Sequence, residues 1–265
     1  MQRLWRTGSM RGWTVGAAAL ALASVVQAGP WDGWHAGAWV GGTNTRAEAR
    51  AGSSFVAPGY SRSGGTYFEA ASVTQLDRIR PGVDDRAAVL GVSVGRDTSQ
   101  GARVMGWTVD LGQQPLRLNS RTTQVYDCCA WASFTLEQAV RTSWTAGWRG
   151  RWGVVQGDWL WYGTAGLAVT DVRLSAELTD TAGPSQASVA ARRWRLGWAL
   201  GAGVERQLGA GWSWQAQWLT TDYGTVRRTS NNLIEVGGAA FPNSPWTASA
   251  RVRADRLSVG LMRRW

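Results

Sequence analysis

Residues 192–207 read RRWRLGWALGAGVERQ, and every second residue from Trp194 to Val204 is apolar. The intervening positions are mostly Gly and Ala, with Arg195 near one end and Glu205 at the other. In a β-strand, residues two apart in sequence lie on the same face. This segment therefore has one bulky, apolar face and one small, partly charged face, and we expect it to form a strand.

The same alternation recurs along the chain. The clearest further windows are 103–112, 142–155, 159–171, 212–224 and 253–265, with weaker ones at 34–43 and 88–96. A soluble β-sandwich also alternates, but its bulky apolar residues point inward and its charges face water. Here Trp rings fill one face, while Gly, Thr, Gln and a few charges fill the other. This pattern favours a transmembrane β-barrel, in which lipid contacts the outside and the interior is narrow and polar.

The links between these windows alternate between long and short. Short links occur near Arg96, Val155 and Leu208, and long ones run over 43–86, 113–143, 174–193 and 225–253. Outer-membrane barrels have short periplasmic turns and longer external loops. We therefore predict an all-β, eight-stranded antiparallel up-and-down barrel, with both termini in the periplasm and the long loops outside the cell. The ring must close, because an unpaired strand edge would leave backbone groups unsatisfied in lipid.

The N-terminus has the pattern of a secretory signal peptide. Basic residues precede an uncharged, mostly apolar run over 13–26, and Val26-Gln27-Ala28 offers a cleavage site. A membrane-spanning helix is the alternative, but the run is short and ends at that site. We predict a cleaved signal peptide over 1–28 and a barrel domain over 29–265.

Composition limits the class of partner. The chain has 265 residues, a formal net charge of +10 and 19 Trp, and its 28 basic residues are all Arg. The arginines are scattered rather than clustered, which argues against nucleic acid as a partner. Arginines at the loop bases are candidates to contact the phosphates of lipopolysaccharide, with simple surface solvation as the alternative. These are Arg46, Arg50, Arg117, Arg121, Arg141, Arg227, Arg228 and Arg251.

Five windows resemble the small outer-membrane β-barrel family of OmpA/OmpX-like and opacity-type surface proteins. They are WTVDLG from Trp107, WRGRWGVV from Trp148, WLWYGTAGLAVTDV from Trp159, GWALGAGVERQL from Gly197 and WSWQAQWLTTDYG from Trp212. The resemblance covers nearly the whole chain. It implies an outer-membrane location and assembly by the barrel assembly machinery, and it implies little about a ligand.

The chain departs from the family pattern at four places. Thr108 and Gln217 stand where the family often has acidic residues, Arg263 replaces an aromatic, and the last residue is Trp265 rather than Phe. By resemblance, the terminal strand is the signal that the assembly machinery recognises. Its apolar face carries Leu257, Val259, Leu261 and Trp265.

Four charged residues fall on the polar faces of the windows: Asp110, Arg149, Arg151 and Glu205. Their positions place Arg151 and Glu205 at similar depth near the short turns, with Asp110 and Arg149 further in. Eight strands enclose a space that side chains just fill, so these charges must be paired. We expect a salt-bridge plug, and the alternative is a constriction that selects ions.

Other candidate chemistry is weak. His35 is the only His, has no His-x-Ser pattern around it, and lacks a second ligand cluster for a metal. The adjacent Cys128 and Cys129 are candidates for a vicinal disulfide or an intermolecular bridge, or for an inert loop pair. The GAGVE segment from Gly201 lacks a full dinucleotide-binding fingerprint. We predict no cofactor and no metal.

The sequence thus predicts a non-enzymatic outer-membrane barrel with a structural or surface-interaction role. A small porin-like channel for ions or small solutes is the alternative, and a lipid-modifying enzyme comes third. The predicted partners are outer-membrane lipids and lipopolysaccharide, the barrel assembly machinery during biogenesis, and an extracellular ligand or host surface.

Overall fold

The computed structural model describes residues 30–53, 75–76, 78–127, 129–181, 185–231, 234–235 and 245–265. Eight long strands and one short strand make up nearly all of this. They are β1 (Gly33–Ser53), β2 (Gly82–Gln100), β3 (Arg103–Tyr126), β4 (Cys129–Gln156), β5 (Trp159–Asp180), β6 (Ser185–Gly209), β7 (Trp212–Ser230), β8 (Ile234–Glu235) and β9 (Trp246–Arg264). The predicted signal peptide and its cleavage site lie outside the described residues and stay a prediction.

The eight long strands form a closed antiparallel ring. Each strand pairs with its neighbour in sequence, β7 pairs with β9, and β9 returns to pair with β1. The two-residue β8 adds to the edge of β6. The predicted eight-stranded up-and-down barrel is therefore confirmed.

Three tight turns close one end of the barrel, which we call the turn end. They join β2 to β3, β4 to β5 and β6 to β7 across two residues each. Gly101 and Gly157 adopt φ values of +63° and +62°, the left-handed region that two-residue hairpin turns need and that glycine reaches without strain. Both ends of the barrel domain also lie at the turn end, since β1 starts there and β9 finishes there.

The half of the barrel next to the turns has an apolar exterior, which we call the belt. It comprises 33–43 of β1, 88–100 of β2, 103–114 of β3, 144–156 of β4, 159–170 of β5, 194–209 of β6, 212–221 of β7 and 256–264 of β9. Outward side chains here include exposed Trp148, Trp161, Trp198, Trp218 and Leu257. Because the ring has no free edge and its outer face is apolar, this half is built to face lipid.

Beyond the belt, the eight strands continue as an extension in which the polarity is reversed. The extension comprises 44–53 of β1, 82–87 of β2, 115–126 of β3, 129–143 of β4, 171–180 of β5, 185–193 of β6, 222–230 of β7 and 246–255 of β9. Its inward residues are apolar and buried, for example Leu116, Leu136 and Val252, while Arg117 and Arg251 point outward. Over these ranges β2 is not paired with β3, and β6 is not paired with β7. The inward apolar residues therefore lie between two four-stranded sheets, β7-β9-β1-β2 and β3-β4-β5-β6, which is the arrangement of a water-soluble β-sandwich.

Most residues of the predicted long links belong to strands of the extension. No alternating window was found over 113–143, 174–193 or 225–253, and loops were expected there. Most of these residues are strand; only 127–128, for instance, separate β3 from β4. They alternate with apolar residues inward, whereas the belt alternates with apolar residues outward, so a search for outward Trp passes over them. Phe55, Tyr60, Tyr67 and Phe68 of the first link lie outside the described residues.

Candidate functional site: the barrel interior

Four charged side chains from four strands meet inside the belt near the turn end. We call them the lower charge cluster: Asp97 of β2, Arg151 of β4, Glu205 of β6 and Arg264 of β9. Arg151 donates to Asp97 at 3.3 Å and also to Glu205. Arg264 donates to Asp97 at 3.0 Å and to Glu205 at 3.2 Å. Each guanidinium bridges both carboxylates, so the cluster ties opposite walls of the barrel together and carries no net charge.

Neighbouring side chains complete this cluster. Ser213 donates its hydroxyl to Glu205, and His35 Nδ1 lies 3.5 Å from an Asp97 carboxylate oxygen. The Arg151 guanidinium lies 3.9 Å from the centre of the Tyr162 ring, a favourable cation–π contact. A Cβ on Gly203 would overlap that ring, so the glycine makes the room that Tyr162 occupies.

The chain just before β1 covers the turn end of the barrel. Trp31 is buried there, and its backbone oxygen accepts a hydrogen bond from Arg264 at 2.7 Å. Asp32 accepts hydrogen bonds from the backbone N–H and the hydroxyl of Ser99, and Gln207 donates to the Pro30 carbonyl. This segment, the mouth cap, holds Trp31 against the lower charge cluster.

A second group lies higher in the belt. We call it the upper charge cluster: Asp110 of β3, Arg149 of β4 and Arg256 of β9. Arg149 contacts one Asp110 oxygen, and Arg256 donates to the other at 3.3 Å. Arg256 also stacks on Trp39, 4.0 Å from the ring centre. Close by, the hydroxyls of Tyr223 and Thr145 are hydrogen-bonded at 2.7 Å.

The two clusters leave almost no open space. A cavity between them, lined by His35, Tyr162 and Gln217 among others, offers about 20 Å³ to water, and one above the upper cluster offers about 10 Å³. Each is about the size needed for one water molecule. Several buried nitrogens there, including Arg149 Nε and Arg256 Nε, have no protein partner, which suits single bound waters.

The interior of the extension is filled differently. Its apolar core is made of side chains such as Leu116, Phe134, Leu136, Leu174 and Trp246, all buried. This core lies directly above the upper charge cluster. Along the axis, the interior is thus closed in turn by the mouth cap, two charge clusters and an apolar core.

The structure places all four sequence-predicted interior charges inside the barrel. It brings together Arg151 with Glu205, and Arg149 with Asp110. Sequence reasoning missed Asp97, Arg256 and Arg264. Arg256 and Arg264 were on the polar parity of the last window, and Asp97 continues the inward parity of β2 through Ser93 and Gly95, so the signal was present. His35, for which the sequence indicated no catalytic or metal-binding pattern, also touches the lower cluster.

The remaining predicted residues lie at the surface or outside the description. Leu257, Val259, Leu261 and Trp265 all point outward from the last strand into the belt region. Arg263 lies on the outward face of the last strand, where a charged side chain is unusual. Its guanidinium donates to the Ala210 carbonyl at a turn and lies 5.5 Å from the Trp212 ring centre. Cys128 lies outside the described residues, so the vicinal disulfide stays a prediction.

The described residues were also inspected for membrane-spanning helices and for metal-binding clusters. No helix there has the length and apolar character needed to cross a membrane. No three His, Cys, Asp or Glu side chains of the described residues come together in a way that could hold a metal ion.

Comparison with known proteins adds little. No protein-family profile and no curated sequence matches the chain. Among solved structures, it is similar to the outer membrane protease OmpT of Escherichia coli, with 7% identity over 91% of this chain and 99% of that one and a TM-score of 0.45. It is also similar to Ail, the attachment invasion locus protein of Yersinia pestis, in complex with the heparin analogue sucrose octasulfate (9%, 87% and 99%, TM-score 0.34).

A third similar structure is Neisserial surface protein A, with 11% identity over 86% of this chain and 97% of that one and a TM-score of 0.34. At such low similarity, these overlaps say nothing about binding or catalysis by the present chain. Its function must be argued from its own residues.

Proposed function

We propose that this protein, whose strands form a closed ring with an apolar belt, is a closed, non-catalytic barrel of the outer membrane. Its role is to hold the extension at the cell surface for structural or interaction purposes. The observation that carries this proposal is the filled interior. Ion clusters occupy the belt and an apolar core occupies the extension, so no continuous aqueous path remains for a solute.

The charge clusters act as struts in this proposal. Asp97, Arg151 and Glu205 are almost fully buried, and a buried charge without its partner costs several kcal/mol. A gate would have to break such pairs each time it opened. Even then, the apolar core of the extension would still block the path above.

An enzymatic role finds little support in the same geometry. His35 is buried between Asp97 and the barrel wall near the turn end. The cavity beside it holds about one water, which is too small for a lipid or peptide substrate. Catalysis at the surface of the extension would need a different set of residues.

The orientation completes the proposal. Short turns face the periplasm in outer-membrane barrels and the longer connections face outward. The extension therefore projects from the cell, where an extracellular ligand or host surface would meet it, and the terminal strand reaches the assembly machinery from the periplasmic side.

Conductance across planar lipid bilayers tests closure. The folded protein should insert without producing steady channel currents, whereas stable single-channel openings would favour the porin-like alternative. An epitope tag inserted after Thr181 should be detected by antibody on intact cells, while the same tag in the Gly157–Asp158 turn should be detected only after the outer membrane is broken. The reverse result would overturn the orientation.

A further inference from the structure

A straight row of four arginines crosses the outer face of the extension. Arg117 of β3 lies directly opposite Arg141 of β4, Arg141 opposite Arg173 of β5, and Arg173 opposite Arg192 of β6. All four side chains are exposed. Adjacent strands are about 4.8 Å apart, so this arginine row spans about 14 Å.

The row is only partly neutralised by the chain itself. Asp171 accepts hydrogen bonds from Arg173 at 3.4 Å and from Arg192 at 3.1 Å. Arg117 and Arg141 make no ion pair with any residue that the structure describes; the Asp85 carboxylate accepts the backbone N–H of Arg117 at 3.0 Å. Like charges directly opposite each other destabilise a sheet. Among the described residues, the side chains of the four arginines make ion pairs with only one carboxylate. The repulsion between these guanidiniums therefore lowers the stability of the extension.

Two members of the row lie next to Trp residues of the belt. Arg192 is the next outward residue after Trp194 on β6, and Arg141 follows the outward pair Ser143 and Trp144 on β4. Trp rings at the rim of a membrane barrel mark the level of the lipid headgroups. Arg141 and Arg192 therefore lie close to the headgroup level of the leaflet on the extension side.

The opposite side of the barrel differs at this level. There Arg46 donates to Asp84 at 3.1 Å, and Asp222 accepts from Arg251 at 2.7 Å and from Arg253 at 2.9 Å. These three arginines each have an acidic partner among the described residues, unlike Arg117 and Arg141 of the row.

We propose that the arginine row binds the phosphate groups of a glycolipid in the outer leaflet. Guanidinium groups bind phosphate oxygens through paired, charge-assisted hydrogen bonds. A headgroup with two phosphates can engage several members of the row at once, while its acyl chains lie along the belt below Trp144 and Trp194. The closeness of Arg141 and Arg192 to Trp residues of the belt favours a membrane lipid over a soluble anion. The site depends on the orientation proposed above, which the epitope tags test separately.

Two charge-matched double variants test the site. Arg141→Gln with Arg173→Gln removes the centre of the row. Arg50→Gln with Arg227→Gln removes two exposed arginines on the opposite side of the extension, where Arg227 faces Ser249 and Arg50 lies 3.6 Å from Glu48. Affinity for purified bisphosphorylated lipid A is measured by native mass spectrometry of the folded protein in detergent. We expect about a tenfold loss for the row variant, from the loss of charged hydrogen bonds, and less than about a twofold loss for the control.

The unfolding temperature is a second readout, and removing the row should not lower it in the absence of lipid A. In detergent without lipid A, the row variant should unfold at the same temperature as the unmodified protein or higher, because repulsion between arginines is relieved. Adding lipid A should raise the unfolding temperature of the unmodified protein more than that of the row variant. A row variant that is already less stable without lipid A would point to a purely structural role and overturn the proposal.

Three further outcomes would also overturn it. Equal losses of lipid A affinity in both double variants would show a general charge effect. Equal binding of fully dephosphorylated lipid A would remove the phosphate from the argument. Displacement of lipid A by inorganic phosphate or by a soluble sulfated oligosaccharide at matched anion concentration would assign the row to free anions rather than to the lipid.

Discussion

Trp34 and Trp265 close the barrel seam by exchanging two backbone hydrogen bonds. The N–H of Trp34 donates to the Trp265 oxygen at 2.9 Å, and the N–H of Trp265 donates to the Trp34 oxygen at 2.9 Å. The last residue of the chain is thus fixed as the final rung between β9 and β1. Both rings are exposed at the turn-end rim of the belt.

The first prediction concerns this residue. Trp265→Ala keeps the backbone rung but removes the ring, so the purified protein should still refold in detergent and shift in gel mobility on heating. In cells, its level in the outer membrane should fall several-fold, because the aromatic is the predicted assembly signal. Trp265→Phe is the matched control and should assemble normally. Normal surface levels of the Ala variant would remove the signal function from Trp265.

The second prediction concerns the lower charge cluster. Glu205→Ala leaves Arg151 and Arg264 with only Asp97 as a carboxylate partner, and removing one partner of a buried pair costs about 3–5 kcal/mol. The free energy of unfolding, measured with urea in detergent, should fall accordingly, while bilayer conductance stays near zero. Glu48→Ala, which removes an exposed partner of Arg50, should cost about 0–1 kcal/mol. A large conductance rise with unchanged stability in Glu205→Ala would favour a gate.

The sequence was informative where apolar side chains face lipid. In the belt, Trp and Leu alternate with small residues, and no water-soluble sheet needs that pattern, so strand number, order and closure could be predicted. The extension was not found because Leu116 and Leu118 alternate with Arg117 and Asn119 in the opposite sense. Such a stretch has an ordinary soluble-strand pattern, and an interpretation that follows outward-facing Trp places it in a link.

The interior charges were only half predicted, for a different reason. Parity shows which face a charge occupies, and this was enough to bring Asp110 and Glu205 inside. It does not show which strands lie across the barrel from each other, so the bridging of Asp97 and Glu205 by Arg151 and Arg264 depended on the three-dimensional register. The arginine row is a similar case, since its four members come from four strands whose pairing the sequence left open.

The third prediction tests the core of the extension. Leu116 is fully buried there, while Leu111, five residues earlier on the same strand, points outward from the belt. Leu116→Ala should lower the free energy of unfolding by about 2–5 kcal/mol, the usual cost of truncating a packed Leu. On intact cells it should also make the extension cleavable by trypsin after Arg117 or Arg121. Leu111→Ala is the control and should leave cleavage unchanged; equal sensitivity of both variants would mean that no packed core protects the extension.

The fourth prediction is a pH dependence at the rim of the extension. Burial alone would raise the pKa of Asp222, but hydrogen bonds from Arg251, the Gly224 N–H and Arg253 outweigh it and hold this pKa below its usual range. A carboxylate with a lowered pKa stabilises the fold above its unfolded pKa of about 3.9, and that contribution is lost as the pH falls further. Asp222→Asn should therefore unfold at a lower temperature than the unmodified protein at pH 7, and the difference should shrink toward pH 3. A difference independent of pH would show that the carboxylate charge is not what stabilises this site.

The last prediction concerns the space that a glycine leaves for Tyr162. A Cβ on Gly203 would overlap the Tyr162 ring, and the ring in turn supports Arg151 from below at 3.9 Å. Gly203→Val should therefore displace the ring, disturb the lower charge cluster and lower the free energy of unfolding by about 1–3 kcal/mol, the typical cost of overpacking. Gly163→Val is the matched control, because Gly163 points outward from the belt and has no side chain close to its Cβ position. Urea unfolding in detergent should give a lower free energy of unfolding for Gly203→Val than for Gly163→Val. Equal values would mean that the interior can hold the extra side chain without displacing Tyr162.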